Sequence, residues 1–222
     1  MKKTAFTLAE VLITLGIIGV VAALTAPALV KNTGRAKIGP SLAKFVNTFE
    51  TATETMLSDN GVDKISSLAD DVTAFTEGLS KYMIMSPVQE SAPYTVFEPN
   101  SNKDASKVVS NQGLSANNAQ YVLKDGSFMA ANFNASKGSG KGPYKGIIGS
   151  IAYDINGYSG NNEPAKEVFY FFIDDSGILI PYGSNAHKYI DYINYKTCAP
   201  TDAEQAKYCA GKIADNGWKA EY

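Results

Sequence analysis

Between Thr4 and Val30 the chain carries one charged residue, Glu10, in a run that is otherwise apolar or small. From Val11 to Val30 that run is long enough, at 1.5 Å per helical residue, to cross a hydrocarbon core of about 30 Å. Met1-Lys2-Lys3 precede it. The remainder is of a different kind. A mean hydropathy of −0.13 over 222 residues leaves room for one such segment and a soluble body, and excludes a polytopic membrane protein. With 45% hydrophobic and 19% charged residues, disorder of the whole chain is excluded too. Twenty Lys+Arg against 22 Asp+Glu give a net charge of −2, which argues against a nucleic-acid partner. One histidine and two cysteines cannot supply the four ligands of a structural zinc site. A Ser–His or Cys–His enzyme would have to use His187, the only histidine. The chain reads as a non-enzyme.

Two ordinary readings of the amino terminus compete, a cleaved export signal and a single-span anchor. Lys2 and Lys3 make a positive leader, and Ala26-Pro27-Ala28 loosely resembles a small-residue cleavage site. The apolar run, however, exceeds the roughly 7–15 residues of such a signal, and Pro27 sits inside the site. Glu10 weighs against both readings, because a carboxylate at mid-bilayer costs about 2.5–3.5 kcal/mol, though less near the interface. Nor does charge set the orientation. Lys2, Lys3 and the terminal amine nearly balance Lys31, Arg35, Lys37 and Lys44.

Lys2-Lys3-Thr4-Ala5 followed by Phe6-Thr7-Leu8-Ala9-Glu10-Val11-Leu12-Ile13 closely resembles the class III signal of type IV pilins and type II secretion pseudopilins. The match covers about 25 residues. In that family a prepilin peptidase cuts on the cytoplasmic side just before the Phe, here at Ala5–Phe6, and N-methylates the new terminus. Ala5 stands where the family usually has Gly, and Pro27 falls where pilin helices commonly carry a proline. The resemblance implies a 1–5 leader, a 6–30 transmembrane and assembly helix, and a 31–222 pilin-like head. It also implies that Glu10 pairs with the Phe6 amine of a neighbouring subunit. The alternative is a carboxylate that snorkels to the interface. Partners implied are self and related subunits, the peptidase, an assembly platform and the membrane, with the head on the extracytoplasmic side. The competing function is an exported or anchored binding protein or enzyme, with its site in the polar loops around Asp154 and Asp174.

Gly34, Gly39 and Pro40 predict a weak or kinked helix over 31–40. Helicity resumes with Leu42, Phe45, Val46, Phe49, Ala52, Met56 and Leu57 on one stripe, stopped by Asp59-Asn60-Gly61. A second helix is expected over about Ser66–Ile84. From Gln120 the period changes to strands. Tyr121–Lys124 and Ser127–Phe133 form a hairpin around Asp125-Gly126, followed by strands at Ile147–Tyr153, Val168–Ile173 and Ile178–Pro181. Helix first and sheet after predicts α+β, with a long amino-terminal helix packed on an antiparallel sheet. The glycines of 137–143 lack phosphate-loop spacing.

Thr201-x-x-Glu204 is a capping box that places Cys209 on a short helix beginning near Thr201. In an exported chain, Cys198 and Cys209 are expected to form one disulfide, worth about 2.5–3 kcal/mol for a loop of this size. The alternative is two buried free thiols. Finally, Asp154-Ile-Asn156-Gly157 through Asn162-Glu163 collects hard oxygen ligands between two strands. Asp154 and Asn156, with Asn162 and Glu163, make a candidate calcium site. The same residues are those of an ordinary tight turn.

Overall fold

A computed structural model describes residues 7–88, 96, 119–133, 146–157, 162–184, 198–202 and 204–221. The chain divides into two units, Met1–Lys37 and Ile38–Tyr222. Helix α1 spans Leu8–Asp59.

In the second unit, α1 buries Leu42, Phe45 and Phe49 on the stripe that the 3.6-residue period predicts. Over 31–40, where a weak or kinked helix is expected, α1 stays helical through Gly34, Gly39 and Pro40. Propensity costs here are about 1 kcal/mol per Gly and 3 for Pro. Burial of Ile38, Leu42 and Phe45, at about 1.5–3 kcal/mol each, outweighs them. Gly39 has a positive role as well. A Cβ there would lie 1.7 Å from the carbonyl oxygen of Trp218, so only glycine admits that approach.

The expected helix over Ser66–Ile84 is also corrected. A 3-10 turn at Ile65–Ser67 is followed by α2 at Val72–Leu79, eight residues long. Asp71 splits the pattern, since its carboxylate caps α2 by accepting the Ala74 N–H at 2.9 Å. Ser66 is held elsewhere, donating its N–H and hydroxyl to Asp175.

Among the described residues six strands form one antiparallel meander in chain order. They are β1 (Met85–Pro87), β2 (Ala119–Leu123), β3 (Phe128–Phe133), β4 (Ile147–Asp154), β5 (Val168–Asp174) and β6 (Leu179–Pro181). The β2–β3 hairpin turns at Asp125-Gly126 as expected, with Tyr121 opposite Met129. Strand β1 was not foreseen. Three residues ending in proline carry no period, and only pairing with β2 defines them.

Alternation sorts the sheet into two buried faces. Met129, Ile151, Tyr153, Phe169, Phe171 and Ile173 join the core shared with α1 and α2. Phe45 stacks on Tyr153 with ring centroids 4.0 Å apart, and burial pushes the Tyr153 hydroxyl up to about 12. Phe128, Ala130, Ala152, Val168 and Tyr170 form a second cluster with Val96 and Tyr182. The strands are therefore nearly apolar throughout, unlike those of an antiparallel sheet with one wet face.

At the carboxy-terminal end, a 3-10 turn at Ala206–Tyr208 leads into α3, Cys209–Asp215. The side chain that accepts backbone N–H groups ahead of this turn is Asp202, where Thr201 is expected. Its carboxylate accepts the N–H groups of Glu204 and Gln205 at 3.0 and 2.8 Å, and the regular helix begins later than expected. Cys198 and Cys209 form the disulfide, with Cα atoms 4.6 Å apart and Cys209 fully buried.

Candidate functional site

Leu8–Thr25 is the one described helix long and apolar enough to cross a membrane. Ten large apolar side chains from Leu8 to Leu24 stand 43–80% exposed. Burying such side chains gains roughly 1.5–3 kcal/mol each, so leaving ten in water forgoes roughly 15–30 kcal/mol. That exceeds the roughly 5–15 kcal/mol that holds an ordinary domain folded. The surface is apolar on every side, which suits lipid or a bundle of like helices rather than one core-facing stripe. Its hydroxyls are already satisfied. Thr14 and Thr25 each donate to a carbonyl one turn back, Glu10 O and Val21 O, both at 2.9 Å.

Glu10 lies in the first turn of this helix. Thr7 donates both its N–H and its hydroxyl to Glu10 Oε2 at 2.8 Å, and the Glu10 N–H donates to Thr7 Oγ1 at 3.3 Å. This is a reciprocal capping box, which satisfies two of the orphan donors at the helix start. The signal Thr7-x-x-Glu10 stands in the sequence, at the edge of an apolar run whose length dominates the pattern. Glu10 thus has a local partner within one chain, and the carboxylate remains exposed for another. The processing residues Ala5 and Phe6, and the histidine His187, lie outside the described residues. Cys198 and Cys209 are bonded to each other, so the chain offers no thiol nucleophile.

The oxygen-rich loop is only partly described. Asp154 is buried, and its Oδ1 accepts the Asn156 N–H at 3.0 Å, an Asx turn. Asn156 is exposed. Gly157 follows at φ 71, where a Cβ would meet Gly126 O at 2.4 Å. The Asn162 N–H donates to Glu167 Oε2 at 2.8 Å, and buried Glu163 is ion-paired with Lys166. Among the described residues no three His, Cys, Asp or Glu side chains gather to hold a metal ion.

One carboxylate outside these segments has a perturbed setting. Glu50, half-buried on α1, accepts the Leu179 N–H at 2.9 Å through Oε1. Burial pushes its carboxyl up, the Leu179 N–H pulls it down, and the charge of Asp174 pushes it up again; the net shift is upward. A raised folded pKa means the folded chain holds this proton more tightly than the unfolded one. The stabilisation is complete below the ordinary carboxylate range and is lost as pH rises through the folded value. Glu50→Gln keeps an acceptor for Leu179 and removes the charge. It is expected to raise the melting midpoint at pH 7, reflecting a stabilisation of less than about 1 kcal/mol given solvent screening, with the gain vanishing near pH 4. An unchanged or lowered midpoint at pH 7 in parallel melts would contradict this.

The fold and this helix define an α+β protein with one amino-terminal helix fit to cross a membrane. Comparison with family models, curated proteins and solved structures finds no match.

Proposed function

We propose that this chain is a pilin-like subunit, a type IV pilin or type II secretion pseudopilin, stored in the membrane and polymerised through its apolar helix. The observation that carries the reading is the helix Leu8–Thr25, apolar all round and opened by a single carboxylate, placed directly after Lys2-Lys3-Thr4-Ala5-Phe6. Such a helix leaves lipid only for a place among like helices. A carboxylate at its start finds its best partner in the amine of a processed neighbour. The sheet supports the same division of labour. Among the described residues the outermost strands, β1 and β6, are each three residues long and end in Pro87 and Pro181, which disfavours adding strands there.

The disulfide favours an oxidising, extracytoplasmic side for the second unit. Like and related subunits, a prepilin peptidase, an assembly platform and the membrane are the partners this role requires. The protein does structural work and catalyses nothing.

The test is the mature amino terminus. Intact-mass analysis of membrane-extracted protein, from a host with the peptidase, is expected to show loss of Met1–Ala5 and a methylated Phe6. Replacing Ala5 with a bulky residue should block the cut. A chain beginning after Ala26 or Ala28 would make it a secreted protein, and one beginning at Met1 a plain anchored one. Either result would overturn the proposal.

A further inference from the structure

The stretch Gly39-Pro40 is the weakest point of α1 within the second unit. Pro40 brings no N–H to the helix ladder, and glycine carries the largest backbone entropy of any residue. The stretch is nonetheless helical, and the backbone of the carboxy-terminal end lies directly on it. The carbonyl oxygen of Trp218 would be 1.7 Å, and its carbonyl carbon 2.7 Å, from a Cβ at position 39. The Trp218 oxygen thus fills the place of the missing side chain.

That approach depends on an unusual turn after α3. Gly217 and Trp218 both take left-handed backbone conformations, at φ 63 and 61. For tryptophan this costs roughly 1 kcal/mol or more and persists only where surroundings impose it. Here the Trp218 N–H donates to Ile213 O at 2.8 Å, and the Gly217 N–H to Ala214 O at 3.1 Å. The indole packs against the same core that buries Ile38 and Leu42. Behind the turn, α3 is pinned at its end, where the Ser184 hydroxyl donates to Asp215 Oδ1 at 2.6 Å. At its start it is pinned by the disulfide. The turn therefore reaches α1 from a fixed base.

We infer that the turn Asn216–Lys219 is a strap that holds α1 helical at Gly39-Pro40, a hinge that opens locally when the strap is displaced while the sheet stays folded. This inference is independent of the pilin reading and needs no filament for its test.

The experiment is amide hydrogen exchange on the full chain in detergent micelles. Wild type is compared with Gly39→Ala and with a chain ended after Gly217. The reporting amides are those of Leu42, Ala43 and Lys44, which in an α-helix bond to the carbonyls of residues 38–40. Alanine is the better helix former by about 1 kcal/mol, so propensity alone predicts slower exchange in Gly39→Ala. The strap predicts the opposite sign. Exchange of those three amides is expected to accelerate about tenfold in both variants, with β4 and β5 unchanged. In Gly39→Ala the emission of Trp218, the only tryptophan, should shift to the red. Unchanged or slower exchange at 42–44 would overturn the inference. An equal acceleration in β4 and β5 would also overturn it, since the contact would then be part of the global core.

Discussion

In the proposed filament, Glu10→Gln is expected to leave α1 helical and to lower the equilibrium constant for adding a subunit roughly a hundredfold to a thousandfold. Gln retains an oxygen for the Thr7 N–H, so the capping box survives. The charge does not. Among packed apolar helices a carboxylate and an amine attract far more strongly than in water, and removing one leaves the other buried and unpaired. Glu10→Leu loses the cap as well, at roughly 0.5–2 kcal/mol, while making the segment more apolar and easier to insert. Pelleted filament yield measures assembly, and circular dichroism in micelles measures the helix. Wild-type yield from Glu10→Gln would show that the carboxylate serves only as a cap, and would remove the physical basis for pairing with the Phe6 amine.

Phe49→Ala should destabilise the second unit by about 3–5 kcal/mol, the usual range for emptying a buried aromatic site. Phe49 is fully buried on α1, with its ring centroid 5.9 Å from that of Phe45 and 6.2 Å from that of Phe75. It therefore joins α1, α2 and, through Phe45, the sheet. At about 2–4 °C per kcal/mol for a domain of this size, the melting midpoint should fall by roughly 6–20 °C. Val20→Ala, on the exposed apolar stretch of α1, is the control and should leave the midpoint unchanged. A fall of under about 2 °C for Phe49→Ala would mean that the α1 stripe is not what holds the sheet in place.

The legible parts of this chain are those with a local physical signal. The period of 3.6 from Leu42 to Leu57 marks the buried face of α1, and short β-branched and aromatic runs between turn residues mark β2 to β6 to within a residue or two at most ends. Asp125-Gly126 identified its hairpin because only glycine takes φ 84 there without strain. Other signals were legible but misassigned. Thr7-x-x-Glu10 and Asp71 are both capping signals, and each lies inside a longer apolar pattern that masks it.

What remained hidden was whatever depends on a second segment arriving. Strand β1 exists because β2 pairs with it. The second buried face of the sheet depends on Val96 and Tyr182, which no alternation pattern connects to it. Burial, and then the charge of Asp174, raise the Glu50 pKa, and both come from packing that no local pattern on α1 announces.

The apolar segment, the segments that become β2 to β6 and the cysteine pair are written along the chain, because apolar length, residue type and spacing are local properties. Only the tertiary structure decided that α1 runs unbroken through Gly39 and Pro40. The same glycine that weakens an isolated helix lets Trp218 approach it, and burial of Ile38 and Leu42 outweighs the helix-breaking cost.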